Sequence, residues 1–523
     1  MRFGRQLVSR LAASVQAFLR DSRLWEVAGW CLPALLLAIG MRVALTVAMP
    51  YAYFHDDAPD FLTTRDRLIH EHKWELHEKK TFLVPMLFTA PFALPAPVLV
   101  SIPIGQHLAG LGMILILGAL CRWWLRAWKI FIVPLTLLAA LNPFFLWYEH
   151  TLMAETTFVL CTLLVAFAGT LYAANPTRGR FILLCVTLVL EAGARPEGKL
   201  LFGFGLFLLL LVHWRSLGLD WRRMAIMAVV GLVTHLVTKT SQAGLLLYTS
   251  VARLTPAALK SAPGFDAYIA PIRADLQRRW LERPQFPRVR DRKAIAEAVE
   301  RYLKDDAARG QLKRQSDVNK FCMKLARETC VRNLSALPSL ALTKFRLVAT
   351  ESPAGRLDNE MLFDKQREAF VDSLDRTLRL SLGLTGVKLQ NAGEVHGWID
   401  KHYGEVRWFN SLTDRWLAAV NALRLPDTSY SHPVLPAIPI VYYGIPLYFI
   451  VAGLGLIAAM FRRGELHLFH VAWGLTMLGF FFVIMLTANV RPRFRFVFEP
   501  FWFVYIALLL DCAWSGMRAV IRR

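Results

Sequence analysis

Long apolar runs return again and again along this 523-residue chain. A run of about 18 or more such residues is a candidate to span a bilayer. Spans are read near Val27–Met49, Val98–Leu120, Ile130–Leu146, Glu155–Ala173, Phe181–Ala194, Leu200–His213, Met224–Val237, Val434–Met460, Leu466–Leu486 and Phe496–Trp514. That makes about ten transmembrane helices, of which those near Phe181, Leu200 and Met224 are short for a full bilayer. A hydrophobic content of 55% and a mean hydropathy of +0.39 are too high for one soluble domain of this length. The fold class predicted is an all-α polytopic membrane protein.

The formal charge of +22 would suit nucleic acid, but its placement excludes that partner. Arg122, Arg126 and Lys129; Arg178 and Arg180; Arg215, Arg222 and Arg223; Arg462 and Arg463; and Arg518, Arg522 and Arg523 all fall in short loops on alternate sides of the spans. With Arg2, Arg5, Arg10, Arg20 and Arg23 they mark a cytoplasmic side by the positive-inside rule. The expectation is a multi-pass protein of a bacterial inner (plasma) membrane with both termini in the cytoplasm. Residues 1–26 read as a cytoplasmic interfacial helix, because Phe3, Leu7, Leu11, Val15 and Phe18 share one face with arginines between them. Five cysteines lie in or beside spans as small apolar fillers; Cys322 and Cys330 lie in the soluble insert and are candidates to pair there.

The remaining divisions follow from the same pattern. Residues 27–240 form a transmembrane module with a first external loop at 51–80. Residues 241–432 form an extracytoplasmic, mostly helical insert, and 433–523 supply the C-terminal transmembrane helices. Ser335–Thr343 and Trp408–Leu423 are the stretches of the insert that would graze the bilayer. His70, His72 and His77 invite a zinc reading, but no tight i,i+4 pair with a third carboxylate accompanies them.

Four clusters on the external side carry chemistry. Asp56 and Asp57, with Asp60, sit just outside the first span. Paired carboxylates at such a boundary are costly to desolvate and repel one another, which raises pKa. Asn142-Pro-Phe-Phe-Leu-Trp-Tyr-Glu-His-Thr-Leu-Met-Ala-Glu155 forms a turn between spans, and Glu191-Ala-Gly-Ala-Arg-Pro-Glu-Gly198 ends another span. Arg491, Arg493 and Arg495 enter the final span from outside, against the trend that orients the chain. Burying such arginines costs about 2.5–3.5 kcal/mol each. A phosphate would offset that cost, since it matches the guanidinium fork. Arg42, inside the first span, faces a polar cavity or reaches the interface, and Glu191 pairs with Arg195 or lines the cavity.

Together these clusters resemble the GT-C glycosyltransferases that use polyprenyl-phosphate sugars, such as protein O-mannosyltransferases and bacterial aminoarabinose transferases. The resemblance runs through Asp56-Asp57, Lys80-Thr-Phe-Leu-Val-Pro85, Asn142-Pro…Tyr148…Ala-Glu155, Arg195-Pro-Glu-Gly198 and Arg493-Phe-Arg…Glu499-Pro500. The family's Pro-Pro pair is missing at Thr81-Phe82, and Ala154 stands where a threonine is usual. The resemblance covers the membrane portion and implies a GT-C-like bundle. It implies inverting transfer of a sugar from a polyprenyl-phosphate donor to a hydroxyl of a lipid, glycan or protein acceptor on the external face. Asp57 would be the base with Asp56 orienting it, or the reverse. Arg493 and Arg495, then Arg491, Lys80 and Arg195, would meet the phosphate of the leaving group. Glu155 would hold the acceptor or a cation. No cofactor is certain; a divalent cation between Asp57 and Glu155 is left open, because some members use one and others do not. The rival readings are a lipid-linked sugar flippase and a surface-polysaccharide ligase. A flippase would show symmetry between its halves, and none is visible.

Overall fold

A computed structural model describes residues 22–50, 52, 61, 83, 84, 87, 98–214, 220–237, 243–282, 289–305, 315–350, 406–422, 428–432, 435–442, 447–462, 464–487 and 498–521. The membrane portion begins with α1 (Ser22–Ala48), α2 (Val98–Trp124), α3 (Trp128–Leu141), α4 (Pro143–His150) and α5 (Glu155–Ala174). It continues with α6 (Arg178–Ala194), α7 (Leu201–Trp214) and α8 (Trp221–Val237), a 3-10 turn at Pro196–Leu200 joining α6 to α7. The insert holds α9 (Ala243–Val251), α10 (Asp266–Glu282), α11 (Val289–Asp305), α12 (Gln315–Arg332), α13 (Leu337–Thr350) and α14 (Arg407–Asn421). A two-stranded antiparallel hairpin, β1 (Thr428–His432) and β2 (Leu435–Tyr442), precedes α15 (Leu447–Phe461), α16 (His467–Thr487) and α17 (Glu499–Ile521).

Among the described residues six helices are long and apolar enough to cross a bilayer, or seven if α3 and α4 count as one broken span. The chain is an all-α polytopic membrane protein apart from the hairpin. The expected spans at Phe181–Ala194, Met224–Val237 and Val434–Met460 fall on α6 and α8, at 17 residues each, and on α15, at 15, all shorter than that spanning length. Two expected spans take a different shape. Ile130–Leu146 is split, with α4 turned 47° from α3, because Pro143 cannot continue the α3 hydrogen-bond ladder and Asn142 caps a new helix instead. The expected span Val434–Met460 runs from Leu435 as strand β2, since Pro436 and Pro439 deny helical N–H groups and Ile438, Ile440 and Val441 favour extended backbone. Cys322 and Cys330 both lie on α12 and are free thiols. Eight residues of helix separate them by about 12 Å, beyond disulfide reach.

The loops expected to be cytoplasmic meet at one end of the bundle. Trp124 donates to Thr170 (2.9 Å), and Tyr172 contacts both His213 (2.8 Å) and Arg223 (3.2 Å). Lys129 pairs with Glu26 at 2.9 Å, and Arg462 donates to the Trp124 carbonyl at 2.7 Å. Asp511 closes this end. It accepts the backbone N–H groups of Arg126 (3.0 Å) and Ala127 (2.9 Å) and pairs with Arg462 (3.3 Å) while only 1% exposed. One carboxylate thus joins α17, the α2–α3 turn and the end of α15. Replacing Asp511 by Ala strands a half-buried guanidinium and two N–H groups, and stability should fall by about 3–5 kcal/mol. A melting curve of the detergent-solubilised variant checks this.

Candidate functional site

At the opposite end lie the C-termini of α1 and α6 and the N-termini of α5 and α17. Glu155 opens α5, where the helix N-terminus favours a carboxylate. Arg195 caps the C-terminus of α6 in extended backbone, its N–H bonded to the Glu191 carbonyl. Pro196 then starts the 3-10 turn. A side chain at Gly198 would place Cβ 2.4 Å from the Glu191 carbonyl oxygen, so only glycine lets this turn fold back on α6. The Arg-Pro-Glu-Gly run is therefore a device for presenting Arg195 inward.

Arg195 is gripped by two carboxylates. Its Nη1 meets Glu155 Oε1 at 2.5 Å, and its Nε and Nη2 form a fork with both oxygens of Glu197 at 3.2 Å each. The guanidinium also lies over the Phe158 ring, 5.6 Å from its centroid and one turn along α5 from Glu155. Glu191 does not pair with Arg195. Its Oε1 accepts from the Thr162 hydroxyl at 2.5 Å, fully buried. Glu155 is itself 1% exposed. Arg195 thus bridges the start of α5 and the 3-10 turn after α6 through Glu155 and Glu197.

A second buried network lies beside it, which sequence reasoning did not assemble. Arg42 of α1 pairs with Glu149 Oε1 at 2.6 Å, and Glu149 Oε2 meets His107 Nδ1 of α2 at 3.0 Å. His107 Nε2 meets His150 Nδ1 at 3.2 Å. Each ring nitrogen of His107 thus has one partner, the Glu149 carboxylate on one side and the His150 ring on the other. Arg42, Glu149, His107 and His150 are all buried. Gln106 donates to the Met153 carbonyl at 2.9 Å, tying the stretch between α4 and Glu155 to α2. Of these residues, Arg42 carried a signal in the sequence as a charge within an apolar span. Glu149 and His150 sat unmarked within the Asn-Pro motif, and His107 stood alone in a span.

The other sequence-derived site residues, Asp56, Asp57, Lys80, Arg491, Arg493 and Arg495, lie outside the described residues, as do His70, His72 and His77. Glu499, which follows the arginines, is fully buried at the start of α17. Among the described residues no group of three His, Cys, Asp or Glu is placed to hold a metal ion. A cation at Glu155 would have to compete with Arg195 for Oε1.

No family model matches the chain, and no curated protein matches it. Among solved structures, the crystal structure of ArnT from Cupriavidus metallidurans bound to undecaprenyl phosphate overlays at a TM-score of 0.32 and 14% identity. The overlay covers 88% of this chain and 77% of that one. So loose an overlay bears on neither activity nor site.

Gly110 makes room for the second network. A Cβ there would stand 2.0 Å from Glu149 Oε1, whereas one at Gly112, on the same helix, meets only Leu160 at 3.8 Å. Glycine to alanine in a helix otherwise stabilises by about 1 kcal/mol. Gly112→Ala should therefore leave the melting temperature unchanged or raised. Gly110→Ala displaces a buried ion pair and should cost about 3–5 kcal/mol in the same measurement.

Proposed function

We propose that this chain is an integral-membrane glycosyltransferase. It moves a sugar, with inversion, from a polyprenyl-phosphate donor to an acceptor hydroxyl on the extracytoplasmic face. The observation that carries this reading is the contact between Glu155 and Arg195, residues of two separate motifs of the resemblance and 40 positions apart. The segments bearing Asp56-Asp57 and Arg491–Arg495 leave from helix ends on that same side, after Ala48 of α1 and between α16 and α17. The cation-rich loops gather at the far end, which supports an external site and cytoplasmic termini.

The chemistry assigns roles to residue types. The acceptor hydroxyl needs a base within hydrogen-bond reach, and Asp57, oriented by Asp56, takes its proton as the hydroxyl oxygen attacks the anomeric carbon. The bond from that carbon to the phosphate oxygen breaks, and its electrons leave with the polyprenyl phosphate. Arg493 and Arg495, with Arg491 and Lys80, meet the charge that develops there. Arg195 reaches the phosphate only by exchanging a carboxylate. Its stronger role is to hold Glu155 and Glu197 at the acceptor side.

Purified protein incubated with a panel of radiolabelled polyprenyl-phosphate sugars, with and without chelator, tests the reading directly; no transfer from any of them would sink it. With the donor in hand, Asp57→Asn should fold normally and lower turnover by about 10²–10⁴-fold. Turnover near that of the parent chain removes Asp57 as base. Arg493→Ala should raise the donor KM by about tenfold while sparing the acceptor KM, since a charge-assisted contact is worth about 1.5–3 kcal/mol. An unchanged donor KM and rate would remove the phosphate role.

A further inference from the structure

Among the described residues, the insert buries two cations that pair with no carboxylate. Arg253, on the 3-10 turn that closes α9, is 6% exposed, and Lys344 of α13 is 1% exposed. Nε and Nη1 of Arg253 and Nζ of Lys344 meet no acceptor among the described residues. By contrast Arg42, Arg195 and Arg462 each lean on a carboxylate. The Arg253 guanidinium lies 3.6 Å from the ring centroid of Trp280 on α10, whose indole N–H also lacks an acceptor. Asn333 fixes this turn in place by donating to the carbonyls of Leu254 (3.1 Å) and Thr329 (2.7 Å).

An unpaired buried charge costs several kcal/mol, so the arrangement needs a compensating group. Deprotonation cannot supply it for Arg253. Burial, and then the Arg253 charge, hold Lys344 down to about 7, and an anion at its ammonium group would favour the charged form. The unmet groups are all donors, two of them on one guanidinium. With Nε and Nη1 of Arg253 pointing in different directions and Nζ of Lys344 a third donor, they ask for an anion with several acceptor oxygens and about two negative charges, as a phosphomonoester has. Phe345, next to Lys344, packs edge-on against Phe449 of α15, Phe481 of α16 and Trp502 of α17. Lys344 is thus carried on the helix of the insert that packs against the membrane helices.

We propose that Arg253 and Lys344, floored by Trp280, form a binding site for a phosphomonoester or inorganic phosphate. It is separate from the Glu155–Arg195 group and stands whether or not the chain transfers sugar.

The full-length protein, purified without phosphate into phosphatidylcholine nanodiscs, provides the test. In one arm inorganic phosphate is titrated against chloride of equal ionic strength; in the other, phosphatidic acid replaces part of the lipid. The melting temperature of the parent chain should rise in at least one arm. A rise with inorganic phosphate assigns a free ion, and a rise with phosphatidic acid alone assigns a headgroup. Half-saturation should move up by about tenfold or more in Lys344→Gln and in Arg253→Gln, and recover in Lys344→Arg. Should Arg253→Gln fail to fold, phosphorus-31 NMR of the parent chain against Lys344→Gln reads the same contrast. No rise in either arm, or an equal rise in Lys344→Gln, overturns the proposal.

Discussion

The desolvation cost of charge organises this molecule. Its helices are apolar enough that any ionised group among them must find an opposite charge or a donor, and those partners come from distant sequence. Glu149 holds Arg42 and His107, drawing α1 and α2 onto α4. Asp511 holds Arg462 and the turn after α2, and Glu155 holds Arg195. Without a strong hydrophobic force between helices in lipid, such contacts and close packing decide which helices are neighbours.

The two ends of the bundle use the same physics for different ends. At the end richer in loop cations, Asp511 and Glu26 tie helix termini together, and Asp220 caps the start of α8 beside Arg223. At the other end Arg195 joins Glu155 and Glu197, with Glu191 bonded to Thr162 nearby. The Glu149–His107–His150 row links α2 to α4 in the same way.

Much of the bundle was legible in the chain. The runs at Val27–Met49, Glu155–Ala173 and Leu466–Leu486 fall on α1, α5 and α16 almost residue for residue. Of the candidate site, Glu155 and Arg195 were named and are in contact. Glu149, His107 and His150 were not, because nothing local separates a histidine that packs from one that bonds a carboxylate across two helices. The break at Pro143 was visible as a proline but not as a change of direction, since prolines also lie inside α1, α2 and α3 without splitting them.

Sequence alone determined where the membrane segments lie and which loops share a side. Hydropathy is a sum over neighbours along the chain, and the bias of Lys and Arg is counted loop by loop. Only the tertiary structure decided that Arg42 belongs to Glu149, that Arg195 takes Glu155 and Glu197 rather than Glu191, and that Arg253 and Lys344 stay uncompensated within the described residues. Pairing depends on distances of a few ångströms between side chains on different helices. Those distances are set by how the helices pack, which no one segment contains.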